Sequence, residues 1–180
     1  MRISGTSLAG VMQVVGEPAL DERGSFVRSW CRDSFAAAGL AFQPSQASLS
    51  DNRQRHTLRG MHWQAAPAAE QKLVRCLRGA VFDVAVDLRP GSPSFRRWTA
   101  LRLAPEAHNA LFIPAGCAHG FLTLTDDALV EYLIDAAHDP AAARGARWDD
   151  PAFGIAWPAL PAVMSGRDRG WPDLEAENAA

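Results

Sequence analysis

Apolar residues in this chain fall into short runs, and Gly, Pro, Asp and Asn punctuate them. The runs SFVRSWC (25–31), TLRGMHWQ (57–64), KLVRCLR (72–78) and VFDVAVDL (81–88) read as strands, the last two joined at Gly79. RPGSP (89–93) is a dense turn cluster, followed by the runs FRRWTALRL (95–103), ALFIP (110–114), GFLTLT (120–125) and ALVEYLI (128–134). Many short strands at this spacing predict an antiparallel sandwich or barrel. In VFDVAVDL the alternation puts Phe82, Val84, Val86 and Leu88 on one face and Val81, Asp83, Ala85 and Asp87 on the other. The first face is core. Two carboxylates on the second mean that it meets water, a partner or a polar cavity.

Helical signals are scarce. RDSFAAAGL (32–40) predicts two turns of helix, with Asp33 as N-cap and Gly39 at the stop. The stretch from Pro140 to Pro161, rich in Ala, Pro, Asp and Trp, is expected to wrap the outside. The polar end, DLEAENAA, is expected to fray, a tail beginning at about residue 172. No fixed-period repeat and no linker divides the chain, so residues 1–180 read as one domain.

Composition narrows the function classes. Hydrophobic residues make up 48% and charged ones 21%, with a net charge of −2 and a pI of about 6.2. That balance suggests neither a nucleic-acid partner nor a membrane surface. No apolar run is long enough to span a bilayer, and the N-terminal stretch makes no convincing signal peptide. Cys31, Cys76 and Cys117 are odd in number and lack a CxxC spacing, which fits free thiols in a reducing cytoplasm.

Two counts stand out. Lys72 is the sole lysine in a chain that otherwise takes its positive charge from arginine, and Tyr132 is the sole tyrosine beside eight Phe and six Trp. Lysine is a compact point charge where arginine is a planar fork, so a site needing one small donor at one oxygen would select it. The bland readings are chance for Lys72 and a core hydroxyl bonded to backbone for Tyr132. LRGMHWQ carries Arg59, His62 and Gln64. On an ideal strand Arg59 and His62 point to opposite faces, but Gly60 between them permits a bulge that turns both inward. IPAGCAHGF (113–121) delivers His119 from a Pro–Gly turn, and its P-x-G-x-x-H form resembles the second motif of cupin barrels. Metal-binding cupins typically add an H-x-H pair. Here Trp63 and Gln64 follow His62, leaving His62, Glu70 and His119 as the conceivable ligands.

Taken together, DERGSFVRSW, TLRGMHWQ, QKLVRCLRGAVFDVAVDLRPGSPSF, LFIPAGCAHGF, VEY and RWDDPAFGIAWP resemble the dTDP-4-dehydrorhamnose 3,5-epimerase family, from about residue 20 to about residue 170. The resemblance implies an all-β, cupin-type antiparallel β-barrel (jelly roll) with a few short helices. It implies a homodimer, no metal and no cofactor. It also implies a dTDP-linked 4-keto-6-deoxyhexose as substrate, inverted at C3, C5 or both through an enolate. Carried over by residue, His62 is the base, Asp168 its supporting carboxylate, Tyr132 the acid on the far face and Lys72 the cation at the ketone oxygen. Arg23 and Arg59 hold the diphosphate, Phe26 and Gln46 lie on the nucleotide side, His119 lines the pocket, and Arg167 stands where Lys is frequent. Four positions depart from the family pattern. Arg28 replaces a Glu, Ser48 an Asn, Ala137 an aromatic residue and Ala143 a Glu. Two rivals remain at this point, a metal-dependent cupin enzyme and a non-catalytic sugar-binding cupin.

Overall fold

The computed structural model describes residues 1–174. In chain order it contains β1 (Arg2–Gly5), β2 (Met12–Val15), β3 (Ala19–Asp21), β4 (Gly24–Phe26), α1 (Arg32–Ala37), β5 (Gln46–Asn52), β6 (Leu58–Gln64) and β7 (Lys72–Arg78). There follow β8 (Val81–Asp87), β9 (Trp98–Leu103), β10 (Asn109–Ile113), β11 (Cys117–Thr123), β12 (Ala128–Ile134), β13 (Ala143–Gly145) and α2 (Gly166–Arg169). One sheet runs β1-β2-β10-β7-β12-β5, a second runs β13-β6-β11-β8-β9, and β3 and β4 form a separate hairpin. All pairing between these strands is antiparallel.

The fold is therefore the expected jelly roll, with one correction: the sheets do not close into a barrel. Edge strands β5 and β13 do not pair with each other. Their side chains Gln46, Ser48, Ser50, Ala143 and Arg144 line a cleft between the sheets instead.

Alternation explains the layers. On β7, Val74 and Cys76 face inward with Val130, while Leu73 faces out and is sealed under Phe35 of α1, with Phe42 and Phe112. On β8, Val84 and Val86 pack outward against Phe153, Trp98 and Trp157, so the 140–161 segment does wrap that side. The opposite face of β8 is also buried. Val81 and Ala85 join the inner core, and Asp83 and Asp87 are both fully buried. Asp87 is held by Arg89, Ser92 and Ser94, which fastens the 89–93 turn to the sheet. Burial raises its carboxyl, but these hydrogen bonds outweigh burial and hold it well below the ordinary range.

Local signals hold in part. α1 stops where Gly39, at φ 75°, donates to Ala36 O and Leu40 donates to Phe35 O, a Schellman arrangement. Its N-cap is Cys31 with no side-chain cap, and Asp33 sits in the first turn. The expected strand over 25–31 is only Gly24–Phe26, because Val27 and Trp30 turn toward the body of the domain. Of the expected tail, Leu174 is buried and donates its N–H to Asp150 Oδ2 at 2.6 Å, whereas residues 175–180 lie outside the described residues. No helix among the described residues is long and apolar enough to cross a membrane.

Candidate active site

The cleft between the sheets has a volume of about 710 Å³, within the usual size of a small-molecule site. Its walls carry His62, Lys72, His119, Tyr132 and Asp168, with Gln46, Ser48, Arg59 and Arg167 around them. Arg23, Phe26 and Arg28 are not among its lining residues. They sit on and just after the β3–β4 hairpin, all exposed, with Arg23 paired to Asp21 of the same hairpin.

Gly60 decides how β6 presents its side chains. The pairing of β6 with β11 shifts register between His119 and Phe121, which face His62 and Arg59. The shift places one extra residue in β6, and Arg59, His62 and Gln64 all face the cleft while Met61 packs outside. Gly60 has φ 135°, and a Cβ on it would lie 2.5 Å from Gly120 Cα. Only two glycines let the strands approach so closely.

His62 Nε2 stands 2.6 Å from Asp168 Oδ1, with Asp168 buried and the imidazole 39% exposed to the cleft. Asp168 is fixed by its own short helix, since Ser165 caps α2 by accepting the Asp168 N–H at 3.0 Å. Burial pushes the Asp168 carboxyl up. The His62 bond and charge, the Gly60 N–H and the Ser165 hydroxyl together outweigh it, and the carboxyl lies below its ordinary value.

The facing wall comes from the other sheet. β12 and β7 bring Tyr132 and Lys72 in, since Tyr132 pairs with Val74 and Lys72 with Ile134. Burial, reinforced by the charge of Asp83, pushes the Tyr132 phenol well above its usual value, so it remains a proton carrier. Lys72 is buried and ion-paired to Glu70, with Nζ 2.8 Å from Oε1. His119 packs edge-on against the Tyr132 ring at 5.7 Å and puts Nε2 2.8 Å from Asp83 Oδ1. Burial raises the Asp83 carboxyl against the opposing charges of His119 and Lys72.

Four contributors escape a reading of the sequence alone. Asp83 is the partner of His119, and Glu70, singled out in the sequence only as a conceivable metal ligand, is the partner of Lys72. Trp171 packs its indole where a Gly145 Cβ would stand and lies 6.3 Å from the His62 ring, and Arg167 stacks on it at 4.9 Å. Ser165 is the fourth, and here a signal exists, since Ser165-x-x-Asp168 has the form of a helix start. Among the described residues no group of three or more His, Cys, Asp and Glu side chains is placed to hold a metal ion.

Proton donors and acceptors on facing walls of a jelly roll suit acid–base chemistry of the kind a cupin-type isomerase performs. The family model for dTDP-4-dehydrorhamnose 3,5-epimerase matches residues 5–176, and the chain belongs to that family. It is 44% identical over 150 residues to dTDP-4-dehydrorhamnose 3,5-epimerase of Sinorhizobium fredii, covering 83% of this chain and 75% of that one. Among solved structures it is similar to NovW, a 4-keto-6-deoxy sugar epimerase from the novobiocin cluster of Streptomyces spheroides. That match has a TM-score of 0.93 at 37% identity over 99% of this chain and 90% of the other. A Legionella pneumophila epimerase in complex with dTDP-4-keto-L-rhamnose aligns with a TM-score of 0.92 at 32% identity, over 99% of this chain and 95% of that one.

Proposed function

We propose that this protein epimerises a dTDP-linked 4-keto-6-deoxyhexose at C3, C5 or both, without a metal or cofactor. One observation carries the reading: a base backed by a carboxylate stands on one sheet, and a phenol and an ammonium stand on the sheet opposite. Hydrogens on carbons flanking a ketone are removed as protons when the electron pair can move to the ketone oxygen. Asp168 accepts only, so His62 donates Nε2–H to it and leaves Nδ1 free as the base. Lys72 offers positive charge to the oxygen as the enolate forms. Tyr132 donates its proton to the same carbon from the opposite face, which inverts the centre. A proton passes back from the imidazolium to the phenolate, and nothing else is consumed.

Arg59, Arg167, Gln46, Ser48 and His119 hold the nucleotide sugar in the cleft, the guanidinium groups taking the phosphate oxygens. Arg23, Phe26 and Arg28 bind from a second copy of the chain, as a homodimer allows. Their exposure at the hairpin, with Phe26 76% exposed, supports this placement. The three free thiols suit a cytoplasmic enzyme.

The test is to incubate EDTA-treated protein with a dTDP-4-keto-6-deoxyhexose in D2O and follow deuterium by NMR. Deuterium should enter at C3, C5 or both. Tyr132→Phe should still admit deuterium while inversion slows roughly 10²–10⁴-fold. Wild-type protein that exchanges no hydrogen would overturn the reading.

A further inference from the structure

Lys72 is ion-paired to one carboxylate and acts through its charge on a second. Glu70, just before β7, takes Nζ at 2.8 Å. Both side chains are nearly enclosed, Lys72 at 11% and Glu70 at 10% exposure, so the pair is little screened by solvent. Asp83 is the other carboxylate. It lies fully buried on β8, its Oδ1 is bonded to His119, and its Oδ2 has no hydrogen-bond partner. The charge of Lys72 reaches it.

A lysine ammonium is a point charge on a flexible four-carbon stem with three donors. Unanchored, this one would be drawn inward to the unsatisfied oxygen of Asp83, away from the cleft. Anchored by Glu70, it spends one donor on the anchor and keeps two for the cleft. A buried carboxylate with one oxygen unsatisfied otherwise attracts a mobile cation within its reach, because an unpaired polar atom in the interior is costly.

We propose that Glu70 is a positioning residue for the epimerisation: it holds the Lys72 ammonium on the cleft side, against the pull of Asp83, where the enolate oxygen forms. This rests on the function proposed above. Glu70 touches no reacting atom and acts through Lys72. It therefore affects the step in which charge develops on oxygen more than it affects capture of the nucleotide.

The experiment is a double-variant cycle read by deuterium exchange and steady-state kinetics on a dTDP-4-keto-6-deoxyhexose. Glu70→Ala should lower kcat about tenfold with KM changed less than about twofold. Glu70→Gln keeps an acceptor for the ammonium and should restore kcat to within about threefold of wild type. In the Lys72→Ala background, adding Glu70→Ala should cost nothing further, since the group it positions is gone. Unchanged melting temperatures show that the variants are folded, and Glu70→Gln carries the test if Glu70→Ala unfolds: in that case its loss, of whatever size, must vanish in the Lys72→Ala background. Losses that multiply in the double variant, or Glu70→Ala and Glu70→Gln turning over like wild type, overturn the inference while leaving the epimerase reading intact. Wild-type protein that exchanges no deuterium overturns that reading itself and this inference with it.

Discussion

At His62 the chemistry is set by what its second nitrogen meets. The bond to Asp168 fixes the tautomer and the ring plane, and the capped turn of α2 fixes Asp168. The carboxyl has a folded-state value below its ordinary 3.8, so the fold favours the ionised form. Its stabilising contribution is complete above 3.8 and is lost as pH falls through the lower, folded value. Asp83, raised by burial, acts in the opposite sense: its cost at neutral pH eases as pH falls. Comparison of wild type with Asp168→Asn isolates the first effect. The variant should show a lower melting temperature at neutral pH, a flatter decline below 3.8 and a slower deuterium exchange. Scarcity makes Lys72 and Tyr132 legible in the sequence, because the chain does without their types everywhere else. Glu70 and Asp83 carry no such mark among 20 acidic residues, and only the fold shows which cation or imidazole each one meets.

Among the elements, β6 and β11 do the positioning. Gly60 and Gly120 let the two strands close on each other at the bulge, and that contact turns both Arg59 and His62 into the cleft. A Cβ on Gly120 would stand 2.7 Å from Met61 Sδ and 2.9 Å from Arg59 O. The thioether can give way, but the carbonyl belongs to the paired strand. Gly120→Ala should therefore cost about 1–3 kcal/mol in a denaturant titration and lower turnover, since the relief displaces Arg59 and His62 together. Strands with one apolar face were easy to read, and β7, β8 and β12 fall where the alternation predicts. β5 (QASLSDN) escapes, because its inward residues Gln46, Ser48 and Ser50 form a polar cleft wall instead of core. A strand that builds a binding site loses the pattern by which strands are recognised.

For the whole molecule, the exposed apolar residues matter most. Leu20 and Phe26 on the hairpin are 77% and 76% exposed, and Leu49 on the outer side of β5 is 63% exposed. Exposed apolar groups on the hairpin fit the proposed docking of a second copy. If the hairpin of one subunit completes the cleft of another, two crippled variants should rescue each other. His62→Ala retains an intact hairpin, and an Arg23→Ala/Phe26→Ala double variant retains an intact base. Co-refolded mixtures should regain up to about a quarter of wild-type activity, because random pairing makes half the molecules hybrids with one sound site each. Activity that never exceeds that of the two separate variants would place the hairpin outside the site.

The sequence by itself determined the apolar strands from β6 to β12, the turns between them and an antiparallel all-β class, and it marked Lys72, Tyr132, His62 and His119 as unusual. Those follow from local alternation and residue type, which need no knowledge of distant contacts. The tertiary structure alone decided the open seam at β5 and β13, the carboxylates that meet Lys72 and His119, and the separation of Arg23, Phe26 and Arg28 from their own cleft. These depend on which strands face each other across the interior, and such pairings join residues far apart in the chain, as Asp168 joins His62.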